Sequence, residues 1–259
     1  MHIPVIDDAA WTSPWRRRPV GTKMALSLAL VLTALVGPVW PTVPLVALTS
    51  LALLLGPARI RASALARVLA APLLFIASGA VTVAVGLGAP PTSTTVLWRW
   101  GLVSVSRESL TQSVGLLGHG IAGTLALMVL ATTTPMVDLV TWARRCRVPD
   151  PLLEVASLVY RLCWVLLATV EAMHEAQQAR LGGCAPLRRR LRTTGETIGQ
   201  VMVRSWDHAR RLEDGMAGRG YEDSLTTLAV EPARTRPFTA AVTVLLAVLW
   251  ALLWLVTRG

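Results

Sequence analysis

Along the chain, long uncharged stretches alternate with short basic ones. Four windows, 24–58, 68–98, 109–137 and 237–257, contain no Asp, Glu, Lys or Arg and run 35, 31, 29 and 21 residues. A bilayer takes roughly 20 apolar residues per helix, so the first window is long enough for two helices folded back as a hairpin. Gly37, Pro38, Pro41 and Pro44 supply breakers near its middle and predict helices over about 24–36 and 42–56. A third helix is predicted over about 68–87, stopped by Gly86, Gly88, Pro90 and Pro91. A polar loop with Arg99 and Arg107 follows, then a fourth helix over about 112–131, and the window 237–257 gives one more span.

After Thr132-Thr133-Thr134-Pro135 the pattern changes. Residues 138–236 hold 15 basic and 12 acidic side chains, and their apolar positions recur at helical spacing on one stripe. Leu152, Val155, Val159, Leu162, Leu166, Val170 and Met173 mark a first amphipathic helix. Ile198, Val201, Met202, Ser205, Ala209, Leu212 and Met216 mark a second, with Thr193 and Glu196 placed as a capping box. Gly182-Gly183 and Gly218/Gly220 are natural stops for the two. The stretch 152–170 is apolar, but Glu154 and Arg161 predict that it lies along or beneath a membrane rather than across it.

Composition sharpens this picture. The 259 residues are 53% hydrophobic and 15% charged, against about 25% charged in a soluble domain. The fold class expected is all-α: a polytopic helical membrane protein with about five spanning helices and a cytoplasmic amphipathic region. The expected parts are a basic N-terminal segment 1–23, membrane helices 24–135, a cytoplasmic helical region 136–236 and a C-terminal membrane helix 237–259. Basic clusters at 16–23, 59–67 and 144–147 border the apolar windows, as the positive-inside rule requires. They place the N-terminus inside a bacterial-type cell membrane and the C-terminus outside. The same placement assigns the net charge of +10 to lipid and topology and excludes nucleic acid as partner. The three cysteines, Cys146, Cys163 and Cys184, have no paired spacing that reads as disulfides or a zinc site.

Catalytic chemistry is missing. Lys23, the single lysine, sits in Val20-Gly21-Thr22-Lys23 without the upstream spacing of a phosphate-binding loop, so the chain is no ATPase itself. No His-Glu-x-x-His and no Gly-x-Ser-x-Gly occurs. No cofactor and no resident metal is expected. His119, between Gly118 and Gly120, carries two readings. An ionisable group within a membrane helix is a functional candidate, and a neutral imidazole with one hydrogen bond to a neighbouring helix is the structural alternative. Trp40, Trp98, Trp100, Trp250 and Trp254, near window ends, read as interfacial anchors.

Both amphipathic helices end alike. One closes Ala179-Arg180-Leu181-Gly182, the other Gly218-Arg219-Gly220. Small residues admit another backbone closely, and Arg presents a planar, permanently charged fork that pairs with carboxylates. Arg in a last helical turn also complements the helix dipole, by roughly 0.3–1 kcal/mol. That reading suffices for either motif alone; two such ends in one insert favour knobs that enter a partner's groove.

These features resemble the transmembrane (T) components of energy-coupling-factor transporters, most closely their cobalt-type CbiQ branch. The resemblance covers nearly the whole chain: Ile3-Pro4-Val5-Ile6-Asp7, Pro14-Trp15-Arg16 to Lys23, Thr133-Thr134-Pro135 with Asp138, Pro149, Tyr160-Arg161 and the two Arg motifs. Family members carry two Ala-Arg-Gly-like signatures on coupling helices, and the first departs here by an intervening Leu181. The resemblance implies a non-catalytic scaffold. Ala179, Arg180, Gly182, Gly218, Arg219 and Gly220 would dock two ABC-type ATPase subunits, and a substrate-binding (S) membrane subunit would pack on the spanning part. It implies cobalt or another transition metal as cargo, with a vitamin as the alternative. A membrane enzyme would need polar clusters at one depth, and a self-contained transporter would need inverted repeats with midplane charges; the windows show neither. Asp7, Asp8 and His2 sit on the expected cytoplasmic tail and are not read as a metal site.

Overall fold

The computed structural model describes all residues except 1–2, 88–95, 101–102, 180–185, 221–235 and 259. The described elements are α1 (Ile3–Thr12), a 3₁₀ turn (Pro14–Arg17), α2 (Val20–Val36), α3 (Val39–Leu55), α4 (Ala62–Ala84), β1 (Gly86–Leu87), β2 (Val96–Trp100), β3 (Val103–Ser106), α5 (Arg107–Ala131), α6 (Met136–Arg145), α7 (Asp150–Ala179), α8 (Leu187–Ala217) and α9 (Arg236–Arg258). They divide into two compact units, 1–139 with 230–259, and 140–229. The all-α, multi-pass architecture stands. By length and composition α4, α5, α7 and residues 236–256 of α9 can each cross a membrane, and α2 and α3 are shorter apolar helices. The thirty-residue α7, expected along or beneath the membrane, also meets that criterion of length and composition.

In the first unit, α5 is the central post on which α2, α3 and α4 pack. Small residues make this possible. A Cβ on Gly118 would stand 2.9 Å from Val43 of α3, and one on Gly120 would stand 2.9 Å from Ile76 of α4. Where lipid is as apolar as leucine, close backbone approach and interhelical hydrogen bonds drive association. Ser27 Oγ of α2 donates to the Ala126 carbonyl of α5 at 2.8 Å. Leu26, Leu30, Val46, Leu54, Ala122, Ala126 and Val129 form the core between them. The opposite faces carry exposed Leu28, Leu32, Leu48, Leu74, Phe75 and Leu127, which suits a surface facing acyl chains.

Three local expectations need correction. The polar loop expected after α4 contains strands: β1, β2 and β3 form an antiparallel sheet in the order β1-β3-β2, with Arg99 within β2. Arg107 opens α5, five residues earlier than expected, because Ser106 and Ser109 form a reciprocal capping box, each bond 3.1 Å. Thr193 and Glu196 do not cap α8, which starts after Pro186. Thr193 bonds back to the Arg189 carbonyl, and Glu196 pairs with Arg192 at 3.0 Å. Proline is tolerated at a helix start, where a missing N–H costs no intrahelical bond, and Pro186 stands seven residues before Thr193.

The basic N-terminal segment is packed onto the first unit: Ala10 and Trp15 are buried, and α1 packs on α4 and α5. The Trp15 ring meets Phe238 of α9 edge-on at 5.1 Å. Trp250 ties two helices together, its indole N–H donating to Thr33 Oγ1 of α2 at 3.2 Å. Trp40, near the turn between α2 and α3, is 77% exposed.

Candidate coupling site

The second unit is built on α7 and α8, which run antiparallel. Gln177 Nε2 near the end of α7 donates to Thr197 Oγ1 near the start of α8. Earlier in α7, Leu162 and Leu166 share a cavity of about 420 Å³ with Arg204, His208 and Arg211, later in α8. The face of α8 towards α7 is half-buried Val201, Ser205, His208, Leu212 and Met216, at spacings of three and four. Three of the predicted stripe residues fall elsewhere: Ile198, Met202 and Ala209 are exposed, as are Leu191, Val203 and Trp206. The apolar surface of α8 is therefore wider than one partner helix covers, and the sequence pattern merged two faces into one stripe.

Of the candidate coupling residues, Ala179 is the last residue of α7 and is exposed; Arg180 and Gly182 lie outside the described residues. Gly218 caps α8, its N–H bonded to the Asp214 carbonyl at 3.0 Å. The chain then tightens: Arg219 N–H reaches the Met216 carbonyl at 3.0 Å, and Gly220 N–H reaches the Ala217 carbonyl at 3.1 Å. Gly220 has φ 69°, the left-handed conformation that suits glycine and ends a helix. A Cβ there would meet nothing within 4 Å. Arg219 is exposed, and among the described residues no carboxylate stands within ion-pair distance of it. The helix end is thus a narrow, side-chain-poor tip that carries one exposed guanidinium.

Because the helices are antiparallel, the α7 end lies beside the start of α8 and the Gly218–Gly220 tip lies at the far end. From Thr197 to Gly218 the separation is roughly 30 Å along the axis, at about 1.5 Å per residue.

A second polar cluster sits in the first unit, where the sequence alone shows only a basic segment and a failed phosphate loop. Lys23 is fully buried at the start of α2. Its Nζ donates to the Thr133 carbonyl at 2.9 Å and the Trp15 carbonyl at 3.4 Å. Asp138, at the start of α6, is half-buried and interacts electrostatically with Arg16 and Lys23. Burial raises the Asp138 carboxyl above the ordinary carboxylate range, against the opposing pull of those two cations. One signal was available: a lone lysine in a chain that otherwise uses arginine.

His119 Nδ1, Thr42 Oγ1 and Ser50 Oγ are buried with no hydrogen-bond partner among the described residues. The single interhelical bond expected for His119 is not made through Nδ1. Among the described residues no group of three or more His, Cys, Asp or Glu could hold a metal ion.

Residues 12–228 match the family described as CbiQ, cobalt transport protein. A cobalt transport protein CbiQ of Rhodobacter capsulatus is 34% identical over 233 residues, covering 90% of this chain and 91% of that one. A protein of Methanocorpusculum labreanum, named as a fused cobalt transport protein CbiMQ, is 26% identical over 253 residues, covering 96% of this chain and 42% of that longer one. An uncharacterized protein of Methanocaldococcus jannaschii is 29% identical over 126 residues, 49% of this chain and 47% of that one.

Proposed function

The chain belongs to the CbiQ cobalt transport protein family, and we propose that it is the non-catalytic energy-coupling scaffold of an ECF-type ABC importer for cobalt or a related transition-metal ion. The observation that carries this reading is the end of α8: an exposed Arg219 between Gly218 and Gly220, with no ion-pair partner among the described residues, closing a helix whose apolar surface the described residues cover only in part. Exposed apolar residues of that extent mark interaction surfaces.

Residues 136–236 face the cytoplasm in this reading, and each of two ATPase subunits receives one helix end. Arg180 and Arg219 pair with carboxylates in the two receiving grooves, and Ala179, Gly182, Gly218 and Gly220 keep the backbone narrow enough to enter. Closure of the ATPases on ATP moves the two tips relative to each other. The α7–α8 pair carries that motion to a substrate-binding membrane subunit packed on the spanning part, and that subunit selects the ion. The fused CbiMQ relative supports a partner component, because fusion joins a chain of this kind to a further segment.

Co-purification and reconstitution test this reading. Purified alone, the chain should hydrolyse no ATP and bind no stoichiometric cobalt, nickel or vitamin. Co-expressed with paired ATPases and a substrate subunit, it should purify as their complex, and selectivity should follow the substrate subunit. Tight, saturable cargo binding by the isolated chain would make it a receptor instead.

A further inference from the structure

Lys23 is the single lysine among 25 basic residues, and its exposure is 0%. A buried ammonium costs several kcal/mol of lost hydration unless its hydrogen bonds are replaced, so its position calls for a role that an apolar side chain cannot fill. Its partners supply one. The Thr133 carbonyl lies 110 residues away, at the end of α5, where the last carbonyls have no helical partner and the dipole's negative end collects. The Trp15 carbonyl lies in the 3₁₀ turn that docks on α9 through Phe238. One ammonium thus joins the N-terminal segment, the base of α2 and the end of α5.

The chain beyond Thr133 gives this knot its meaning. Thr132, Thr133, Thr134 and Pro135 are all buried. The Pro135 carbonyl accepts the N–H groups of Asp138 and Leu139, at 3.1 and 3.3 Å, and so starts α6. α6 is the segment through which the chain leaves this unit for residues 140–229. Its first turn is built on the corner that Lys23 holds, and α5 behind that corner is the post on which the membrane helices pack.

We infer that Lys23 is a positioning residue for coupling: its ammonium locks the α5–α6 corner to the N-terminal segment, so that force arriving along α6 is delivered to α5 instead of being lost in a pivoting corner. This rests on the coupling function proposed above. A charge-based lock and a packing role differ in which substitution rescues. Methionine matches the lysine stem without the charge, and arginine keeps the charge with a bulkier head.

The test has three arms. In membranes holding the full chain, with Arg188→Lys as an exposed reference amine, Lys23 should react with an amine-specific ester at least tenfold more slowly than the reference. In purified Lys23→Met, amide exchange at Asp138 and Leu139 should quicken roughly tenfold or more, the effect of losing a charge-assisted contact, while Ala126 and Val129 stay protected. Cobalt uptake at equal membrane abundance should fall in the order native, Lys23→Arg, Lys23→Met. Labelling of Lys23 as fast as the reference overturns the inference, and this arm needs no variant at Lys23 to fold. Unchanged exchange at the corner, or better transport by Lys23→Met than by Lys23→Arg, overturns it as well. Normal transport by Arg219→Ala would defeat the coupling function instead, and leaves the labelling and exchange results readable on the isolated chain.

Discussion

Compare α5 with α8. Both are long, 25 and 31 residues, and both carry several glycines, yet they use them in opposite ways. In α5, Ser113, Gly115, Ala122, Leu125, Ala126 and Val129 are buried, and Gly118 and Gly120 admit Val43 and Ile76 so closely that an added Cβ would force a shift. In α8 no described residue is buried, and a Cβ on Gly195, Gly199 or Gly215 would meet nothing within 4 Å. Internal neighbours bury one face of α5. The chain leaves α8 incomplete, with Ile198, Met202 and Trp206 uncovered. The difference separates a helix that holds a fold together from one shaped for another molecule.

Glycine substitutions expose this contrast most strongly. Gly118→Ala forces Val43 or the α3–α5 spacing to shift and should destabilise by about 1–3 kcal/mol; Gly118→Leu should abolish accumulation in the membrane, read by quantitative immunoblot. If Gly118→Leu accumulates normally, α5 is not the packed post described. Next in size is the tie between α9 and α2. A double-mutant cycle of Trp250→Phe with Thr33→Val should return a coupling of about 0.5–1.5 kcal/mol, measured by thermal unfolding in detergent. A value near zero would detach α9 from α2.

Gly199→Ala should act in the opposite direction, stabilising the exposed interior of α8 by about 0.5–1 kcal/mol, visible as slower local amide exchange. The smallest effect is the pH dependence of Asp138. Its carboxyl is raised by burial, so the folded chain holds this proton more tightly than the unfolded one. Its contribution to stability is fully present below the ordinary carboxylate value of about 4 and is lost as pH rises through the raised one. Asp138→Asn, neutral throughout, should flatten the stability profile across that window. An unchanged slope would assign the pH dependence to other groups.

Charge-free windows told where helices stand because membrane insertion acts on composition over about twenty residues, and a window of that length averages out local detail. That is why α2, α3, α4, α5 and α9 were legible and their ends less so. The boundaries depended on single residues: Ser106 with Ser109 moved the start of α5, and Pro186 rather than Thr193 opened α8. The stripe on α8 was legible as amphipathic, but periodicity cannot tell which apolar residue faces α7 and which is left for a partner. The Gly218-Arg219-Gly220 end was readable because capping chemistry is local. Lys23 was not, because its meaning lies in a carbonyl 110 residues away, and no spacing rule links a lysine to a backbone atom.

The most direct test of the coupling account is cobalt uptake by cells in which Arg180→Ala and Arg219→Ala are combined, with membrane abundance and ATPase co-purification measured on the same samples. Each single variant should keep normal abundance, since an exposed helix end loses only about 0.3–1 kcal/mol. Each should weaken ATPase association and uptake, and the double variant should lose both almost entirely. Uptake unchanged in the double variant, with the ATPases still bound, would contradict the assignment of the two helix ends as coupling knobs.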